Sequence, residues 1–220
     1  MTYEKTDRDR VAAAVEGTAN SNDFQVRSPS RAPATGQSLS KGTIVLHAES
    51  FVVTRFGPPG WAAVLDRLLP GDRQTFEGIL PITWYPQEAD ARLFRTIDEV
   101  LGNGERKLLV DLGRFEAEHD LRRIHRLFLR LANPAFVLEK ASEYWSRFHN
   151  TGRWTVERTV NGACGTLFEW GVPDEVNCIY LSGYIARMFE LVGARDVRVL
   201  HSRCRCRGER GCIFEGTWNP

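Results

Sequence analysis

The hydrophobic period of the chain changes abruptly near residue 150. Residues 108–131 and 136–149 carry apolar stripes at helical spacing, whereas the segments on either side of Asn161–Gly162 alternate as strands do and predict a hairpin. An apolar helix is predicted after Pro173, and residues 196–203 and 211–218 are predicted to close the chain as two strands. The sequence therefore predicts an α+β fold, with a helical N-terminal half packed on a C-terminal antiparallel ββαββ unit.

The N-terminal segment differs in composition from the rest of the chain. Residues 1–41 are rich in Ser, Thr, Asn, Pro, Gly and charged side chains and contain few large apolar ones. Such a segment buries too little surface to offset the entropy lost on ordering. We therefore expect a disordered tail or linker over residues 1–41 and a single domain over residues 42–220.

The first half of this domain is expected to contain both strand and helix. Residues 43–56 are rich in β-branched and aromatic side chains, which predicts one or two strands. Helices are predicted over 58–69, 72–79 and 87–101, the first of them beginning with Pro and the last carrying a clear apolar stripe.

Charge and hydropathy argue against nucleic-acid binding, membrane association and secretion. The chain has 29 Lys and Arg against 28 Asp and Glu, a net charge of +1, which provides no bulk attraction to nucleic acid or to an anionic membrane. No segment approaches the roughly 18 apolar residues of a membrane span, and the charged first residues do not resemble a signal peptide. We expect a cytoplasmic protein that binds neither nucleic acid nor membrane.

The cysteines are concentrated near the C-terminus. Their odd number, five, argues against a disulfide framework. Cys178 lies in the first turns of the predicted apolar helix, and Cys204 and Cys212 bracket a turn, so the three thiols are expected to meet. They would act either as metal ligands or as small buried apolar groups. His201 precedes Cys204 by three residues and, in a regular strand, would face the opposite side.

The segment 177–218 resembles the signature of the 4-vinyl-reductase domain, and is closest in pattern to the sensor domains of phenol-responsive transcription activators. That pattern is a helix with one Cys and a downstream Gly-Tyr, followed by a strand and by Cys-x3-Gly-x3-Cys. The whole chain also resembles a group of uncharacterised myxobacterial proteins of similar size. The matching residues are Cys178, Gly183–Tyr184, Cys204, Gly208 and Cys212.

The resemblance implies a structural zinc site with three Cys ligands and one upstream Glu. On this sequence the zinc ligands are Cys178, Cys204, Cys212 and Glu157, with Cys206 as the local alternative because the spacing of Glu157 is slightly different from that of the family. The resemblance also implies the fold shared by haem nitric-oxide-binding domains and transport-particle (TRAPP) subunits. Because those subunits dimerise, a homodimer is expected.

Aromatic side chains are concentrated on the elements that should meet in this fold. They would line a cavity for a small apolar or aromatic ligand, or else simply fill a core. In the phenol sensors a His and a Trp hold the ligand hydroxyl, but no Trp closely follows Glu157 here, so a phenol specificity is not carried over. The predicted pocket residues are His119, His125, Trp145, Trp154, Phe168 and Tyr184.

The sequence therefore predicts a non-enzymatic sensor or adaptor domain. No P-loop, GxGxxG or nucleophile elbow occurs, and the acidic run from Asp111 to Asp120 is interpreted as a salt-bridged helix face. One alternative is a dimerising scaffold without a ligand. Another is a haem gas sensor with His125 as proximal ligand, because Tyr144–Arg147 approaches the Tyr-x-Ser-x-Arg of haem nitric-oxide-binding proteins but lacks one spacer residue.

Overall fold

The computed structural model describes residues 36–123 and 133–219. In chain order its elements are β1 (Leu39–Lys41), α1 (Thr43–Arg67), α2 (Pro70–Glu77), β2 (Trp84–Pro86), α3 (Gln87–Leu101), α4 (Lys107–Arg123), α5 (Pro134–Trp145), β3 (Arg153–Thr159), β4 (Gly162–Phe168), α6 (Glu175–Leu191), β5 (Arg195–Arg203), a short 3₁₀ turn (Arg205–Arg207) and β6 (Gly211–Asn219). Strands β3 to β6 form one antiparallel sheet of order β3-β4-β6-β5, and β1 and β2 pair separately. This arrangement confirms the predicted α+β fold with a helical N-terminal half.

Residues 43–56 form the first part of helix α1 and not the strands that their composition predicted. Helix α1 packs against α3 and α4, and this burial outweighs a β-preference that spans only about 1 kcal/mol. The helix kinks at Gly57 (φ 75°, ψ 173°), and Pro58 then begins its second segment. The buried residues show the helical spacing i, i+1, i+4, i+7, i+8: Ile44, Val45, Ala48, Phe51 and Val52.

The folded domain begins before residue 42. Strand β1 pairs with β2, with Ser40 opposite Tyr85. The Ser38 hydroxyl donates to Gln87 Oε1 at 2.6 Å, and the Ser40 hydroxyl donates to Asp90 Oδ2 at 2.5 Å. The boundary expected at residue 42 therefore moves N-terminal to Ser38, because small polar side chains act here as buried hydrogen-bond donors. The expected tail over residues 1–35 lies outside the described residues.

Helices α4 and α6 cross at very short range. A Cβ on Gly113 would lie 2.0 Å from the Tyr180 carbonyl oxygen, and one on Gly183 would lie 2.2 Å from that of Val110. Only glycine permits this approach, which brings the interior face of α4 beside the tyrosines of α6. Within residues 36–123 and 133–219, no helix has the length and apolar character needed to cross a membrane.

Candidate functional site

A cavity of about 170 Å³ lies between α5, α6 and the four-stranded sheet. The sheet contributes small residues to its wall, Ala163 and Gly165 of β4 and Gly216 of β6. Because these residues are small, the large side chains around them leave space instead of interlocking. Those large side chains include Phe136, Tyr144 and Trp145 of α5, Leu181, Tyr184 and Met188 of α6, and Trp154 and Phe214 of the sheet.

The volume and the apolar wall define the size of ligand that this cavity can take. An engineered apolar cavity of about 150 Å³ in another protein stays dry and binds benzene. Sites for drug-sized ligands measure about 300–1,000 Å³. A cavity of about 170 Å³ therefore fits a molecule of the size of one aromatic ring.

Two tyrosines connect the cavity wall to a buried carboxyl group. The Tyr184 hydroxyl donates to Asp120 Oδ2 at 3.0 Å and lies 3.0 Å from the Tyr144 hydroxyl. Burial raises the pKa of Asp120 to about 6 and raises the pKa of both tyrosines. The phenols therefore stay protonated and offer neutral hydrogen-bonding groups beside an otherwise apolar wall.

A second cavity of about 60 Å³ shares Tyr144, Trp145, Leu181 and Tyr184 with the first. Its wall carries buried polar atoms that form no hydrogen bond within the described part of the chain. Leaving such an atom unsatisfied costs about 1–3 kcal/mol, so the chemistry of this cavity suits water or a small polar group. The atoms are Trp170 Nε1, His149 Nδ1, Glu116 Oε2 and both amide atoms of Asn177.

The histidine of this second cavity is electrically neutral. His149 stacks on Trp145 with ring centroids 3.8 Å apart. Burial lowers the pKa of its imidazole to about 3, so the ring carries no charge near neutral pH.

The structure places three of the predicted pocket residues, Trp145, Trp154 and Tyr184, in the wall of the apolar cavity. Phe168 is not among the residues that line it. Since successive strand residues face opposite sides, Phe168 lies on the face of β4 away from Ala163, where the Arg153 guanidinium stacks on it at 5.4 Å. Its assignment to the pocket is corrected.

The two histidines proposed as polar anchors are not found in the cavity wall. His119 stacks on Phe115 with centroids 3.9 Å apart, and its Nδ1 lies 2.9 Å from the Phe115 carbonyl oxygen. This contact holds the ring beside its own helix, so His119 lines neither cavity. His125 lies outside the described residues.

Three cysteines meet where the N-terminal end of α6 approaches the β5–β6 connection. Cys178 Sγ lies 3.8 Å from both Cys204 Sγ and Cys212 Sγ, and all three residues are buried. The hydrogen bond from the Cys178 thiol lowers the pKa of Cys212 to about 4 and raises that of Cys178. The group therefore favours one thiolate held by a neighbouring thiol.

The fourth donor beside these sulfurs is His201. Its ring nitrogen and the three Sγ atoms all lie within 4.8 Å of one another. The expectation that His201 faces away is wrong, because the strand is irregular between His201 and Arg203, which changes the alternation of its side chains.

Neither of the two predicted fourth ligands belongs to this group. Glu157 is exposed and follows Val156, which lines the apolar cavity, so Glu157 faces the other side of the sheet. Cys206 is exposed and is not among the four donors, although its backbone N–H lies 3.4 Å from Cys204 Sγ.

The fold of the described chain is that of the H-NOX proteins. A crystal structure of an H-NOX protein from S. oneidensis in the Fe(II)NO ligation state superposes with a TM-score of 0.65 at 14% identity, over 82% of this chain and 99% of that one. Unliganded Fe(II) H-NOX protein from K. algicida gives 0.58 at 15% identity, over 82% and 97%. No protein-family model and no curated protein sequence matches this chain.

These neighbours correct the expected cofactor. They are described in Fe(II) states, and another structure, with a TM-score of 0.56 and 12% identity over 82% of this chain and 99% of that one, concerns heme redox potential and porphyrin distortion. They point to haem as the cofactor and contradict the expected zinc. The Cys–His group is therefore only a possible set of metal ligands. They agree with the expected haem nitric-oxide-binding fold and give no support to the 4-vinyl-reductase or myxobacterial resemblance.

The described residues around the apolar cavity do not fit a haem group. The cavity of about 170 Å³ is well below the roughly 300–1,000 Å³ of sites for larger ligands. No histidine occurs among the described residues that line it, although histidine is the proximal ligand in globins and peroxidases. The two tyrosines among the described residues that line it, Tyr144 and Tyr184, have pKa values raised by burial, which disfavours phenolate ligation.

Proposed function

We propose that this chain is a non-catalytic sensor domain that binds a small, planar, largely apolar ligand between α5, α6 and the sheet. The observation that carries this proposal is the apolar cavity of about 170 Å³. The fold supports the coarser part of the proposal, a ligand-binding sensor domain, since neighbours of the same fold are described in Fe(II)NO and Fe(II)CO ligation states.

The ligand is expected to be one aromatic ring with at most one neutral polar substituent. Affinity would come from burying apolar surface, at about 25 cal/mol per Å². The Tyr144 and Tyr184 hydroxyls are the nearest groups able to meet a polar substituent, while a charged one would have to lose its hydration beside an apolar wall.

A thermal-shift titration with benzene, toluene and indole tests this proposal. Ligand that binds only the folded state raises its stability by about 2.7 kcal/mol at one hundred times the dissociation constant. We expect at least one ring compound to raise the melting temperature, and Ala163→Leu, which fills the cavity from β4, to abolish the effect. The matched control is Val160→Ala, at a side chain that is 99% exposed. Equal responses of wild type and Ala163→Leu, or no response to any compound, would contradict the proposal.

Haem-based gas sensing is the second candidate, and the structural neighbours favour it. The test is the absorption spectrum of protein incubated with haem, because a ligated haem gives a strong Soret band. If His125 is the proximal ligand, His125→Ala loses the band and His119→Ala retains it. A spectrum without a protein-bound Soret band would remove this candidate and leave the small-ligand proposal standing.

The proposal also includes a homodimer. Its support is the resemblance to the transport-particle subunits, which dimerise. Sedimentation velocity of the full chain at micromolar concentration should show a dimer. A monomer across that range would remove self-association and leave the ligand site unaffected.

A further inference from the structure

A buried group of one histidine and two carboxylates lies apart from the thiols, and none of its three residues lines the apolar cavity. His47 comes from α1, and Glu116 and Asp120 lie one turn apart on α4, so both carboxyls point from the same helix face. All three residues are buried, with exposed fractions of 4%, 3% and 7%. One donor atom from each lies within 4.8 Å of the other two.

The spacing of these donors suits a shared cation better than a direct hydrogen bond. His47 Nδ1 lies 3.8 Å from Glu116 Oε1 and 3.6 Å from Asp120 Oδ1. A charged N–H···O bond measures about 2.7–2.9 Å. Two ligand atoms each about 2.2 Å from one metal ion, at angles of 90–120°, lie about 3.1–3.8 Å apart.

The charges around the group also favour a bound cation. Within residues 36–123 and 133–219, no Lys or Arg forms a salt bridge with Glu116 or Asp120. Ionised together, two buried carboxylates beside one imidazole would carry uncompensated negative charge, which is costly in an apolar interior unless a cation binds.

Independent polar groups mark an open position beside the carboxylates. Glu116 Oε2 has no hydrogen-bond partner among the described residues, and Glu116 lines the 60 Å³ cavity. Asn177, which is 3% exposed, lines that cavity too, and both of its amide atoms lack a partner there. A metal with three protein ligands keeps a position for an exogenous ligand, and this small cavity, with its few unpartnered polar atoms, provides room for one.

We propose that His47, Glu116 and Asp120 bind a divalent cation of the Mn²⁺ or Fe²⁺ type, with an exogenous ligand position facing the 60 Å³ cavity. Oxygen ligands suit Mn²⁺, and imidazole suits iron, whereas soft thiolates select other metals. The site is therefore chemically distinct from the cysteine group, and it does not depend on the proposed aromatic ligand.

Electron paramagnetic resonance with Mn²⁺ alone tests the site on the metal-stripped full chain. Loss of the free-ion signal should titrate to one Mn²⁺ per chain. Glu116→Gln and Asp120→Asn keep the side-chain shape and remove a buried charge, and each should weaken binding at least tenfold. Two controls should bind as wild type does: Asp111→Asn on the same helix, whose carboxylate pairs with Arg55 at 2.7 Å, and Cys178→Ser in the thiol group.

A measurement on wild type alone keeps the proposal testable even if both variants unfold. Pulsed resonance of the bound Mn²⁺ should show ¹⁴N coupling from one imidazole. The absence of Mn²⁺ binding, the absence of that coupling, or equal binding by folded Glu116→Gln and wild type would each overturn the site. None of these outcomes changes the response to benzene or indole, so the two proposals fail separately.

Discussion

Filling the apolar cavity from β4 should stabilise the protein. At about 24 cal/mol per Å³, a cavity of about 170 Å³ corresponds to about 4 kcal/mol of packing that is not realised. Ala163→Leu adds three carbons, each worth about 0.8 kcal/mol when buried, and loses about 0.5–1 kcal/mol of side-chain entropy. The net expectation is a gain of about 1.5–2 kcal/mol, or about 3–8 °C in melting temperature for a chain of this size.

Calorimetry of wild type, Ala163→Leu and Ala194→Leu measures this difference. Ala194 is 5% exposed and lines neither cavity, so a leucine there overpacks the core and should cost about 1–3 kcal/mol. The two substitutions are chemically identical, and only the space around them differs. If Ala163→Leu lowers the melting temperature as Ala194→Leu does, the wall residues interlock in solution and the reasoning from cavity volume is refuted.

Three other expectations concern the domain boundary, a buried acid and the helix crossing. Deleting residues 1–35 should change the melting temperature by under about 3 °C. Deleting residues 1–41 also removes β1 and should lower the melting temperature by about 10 °C or more. A large decrease for the shorter deletion would show that the tail packs against the domain. Burial raises the pKa of Asp90 to about 8. Between about pH 4 and 8 the Asp90 carboxyl is therefore ionised in the unfolded chain but protonated in the folded one. The free energy of unfolding therefore falls as pH rises through that window. Denaturant titration at pH 5 and pH 8 measures this decrease, and Asp90→Asn should make it smaller. An equal decrease in the variant and in wild type would contradict a buried neutral carboxyl. Gly183→Ala should destabilise by about 1–3 kcal/mol, since its Cβ would meet the Val110 carbonyl oxygen at 2.2 Å; wild-type stability would show that α4 and α6 can separate.

Local periodicity was sufficient for much of the C-terminal half. Alternation on either side of Asn161 predicted the β3–β4 hairpin, although its two connecting residues are Val160 and Asn161. The apolar helix and the meeting of Cys178 with the β5–β6 connection were also predicted, because each depends on order along the chain. The same signal is present in residues 43–56, where apolar side chains recur at helical spacing, and the helix that forms follows this period and not the β-branched composition.

The acidic run on α4 shows what sequence periodicity alone leaves undecided. Asp111 pairs with Arg55 and Glu118 with Arg187, both at 2.7 Å, as expected for a salt-bridged helix face. Glu116 and Asp120 instead point into the interior. The sequence placed all four on one helix, but which carboxyls are buried depends on how α1 and α6 pack around it.

The order and type of most elements follow from local sequence, since helical and strand periods are properties of neighbouring residues. The sites, in contrast, depend on how distant segments pack. The cavity exists because small residues of β4 and β6 face large side chains of α5 and α6, and an unfilled space has no sequence signal of its own. His201 reaches the thiols through an irregular strand, and His47 reaches Glu116 across a helix interface. Such contacts depend on the packing of distant segments, in which each element is positioned by all of its neighbours at once.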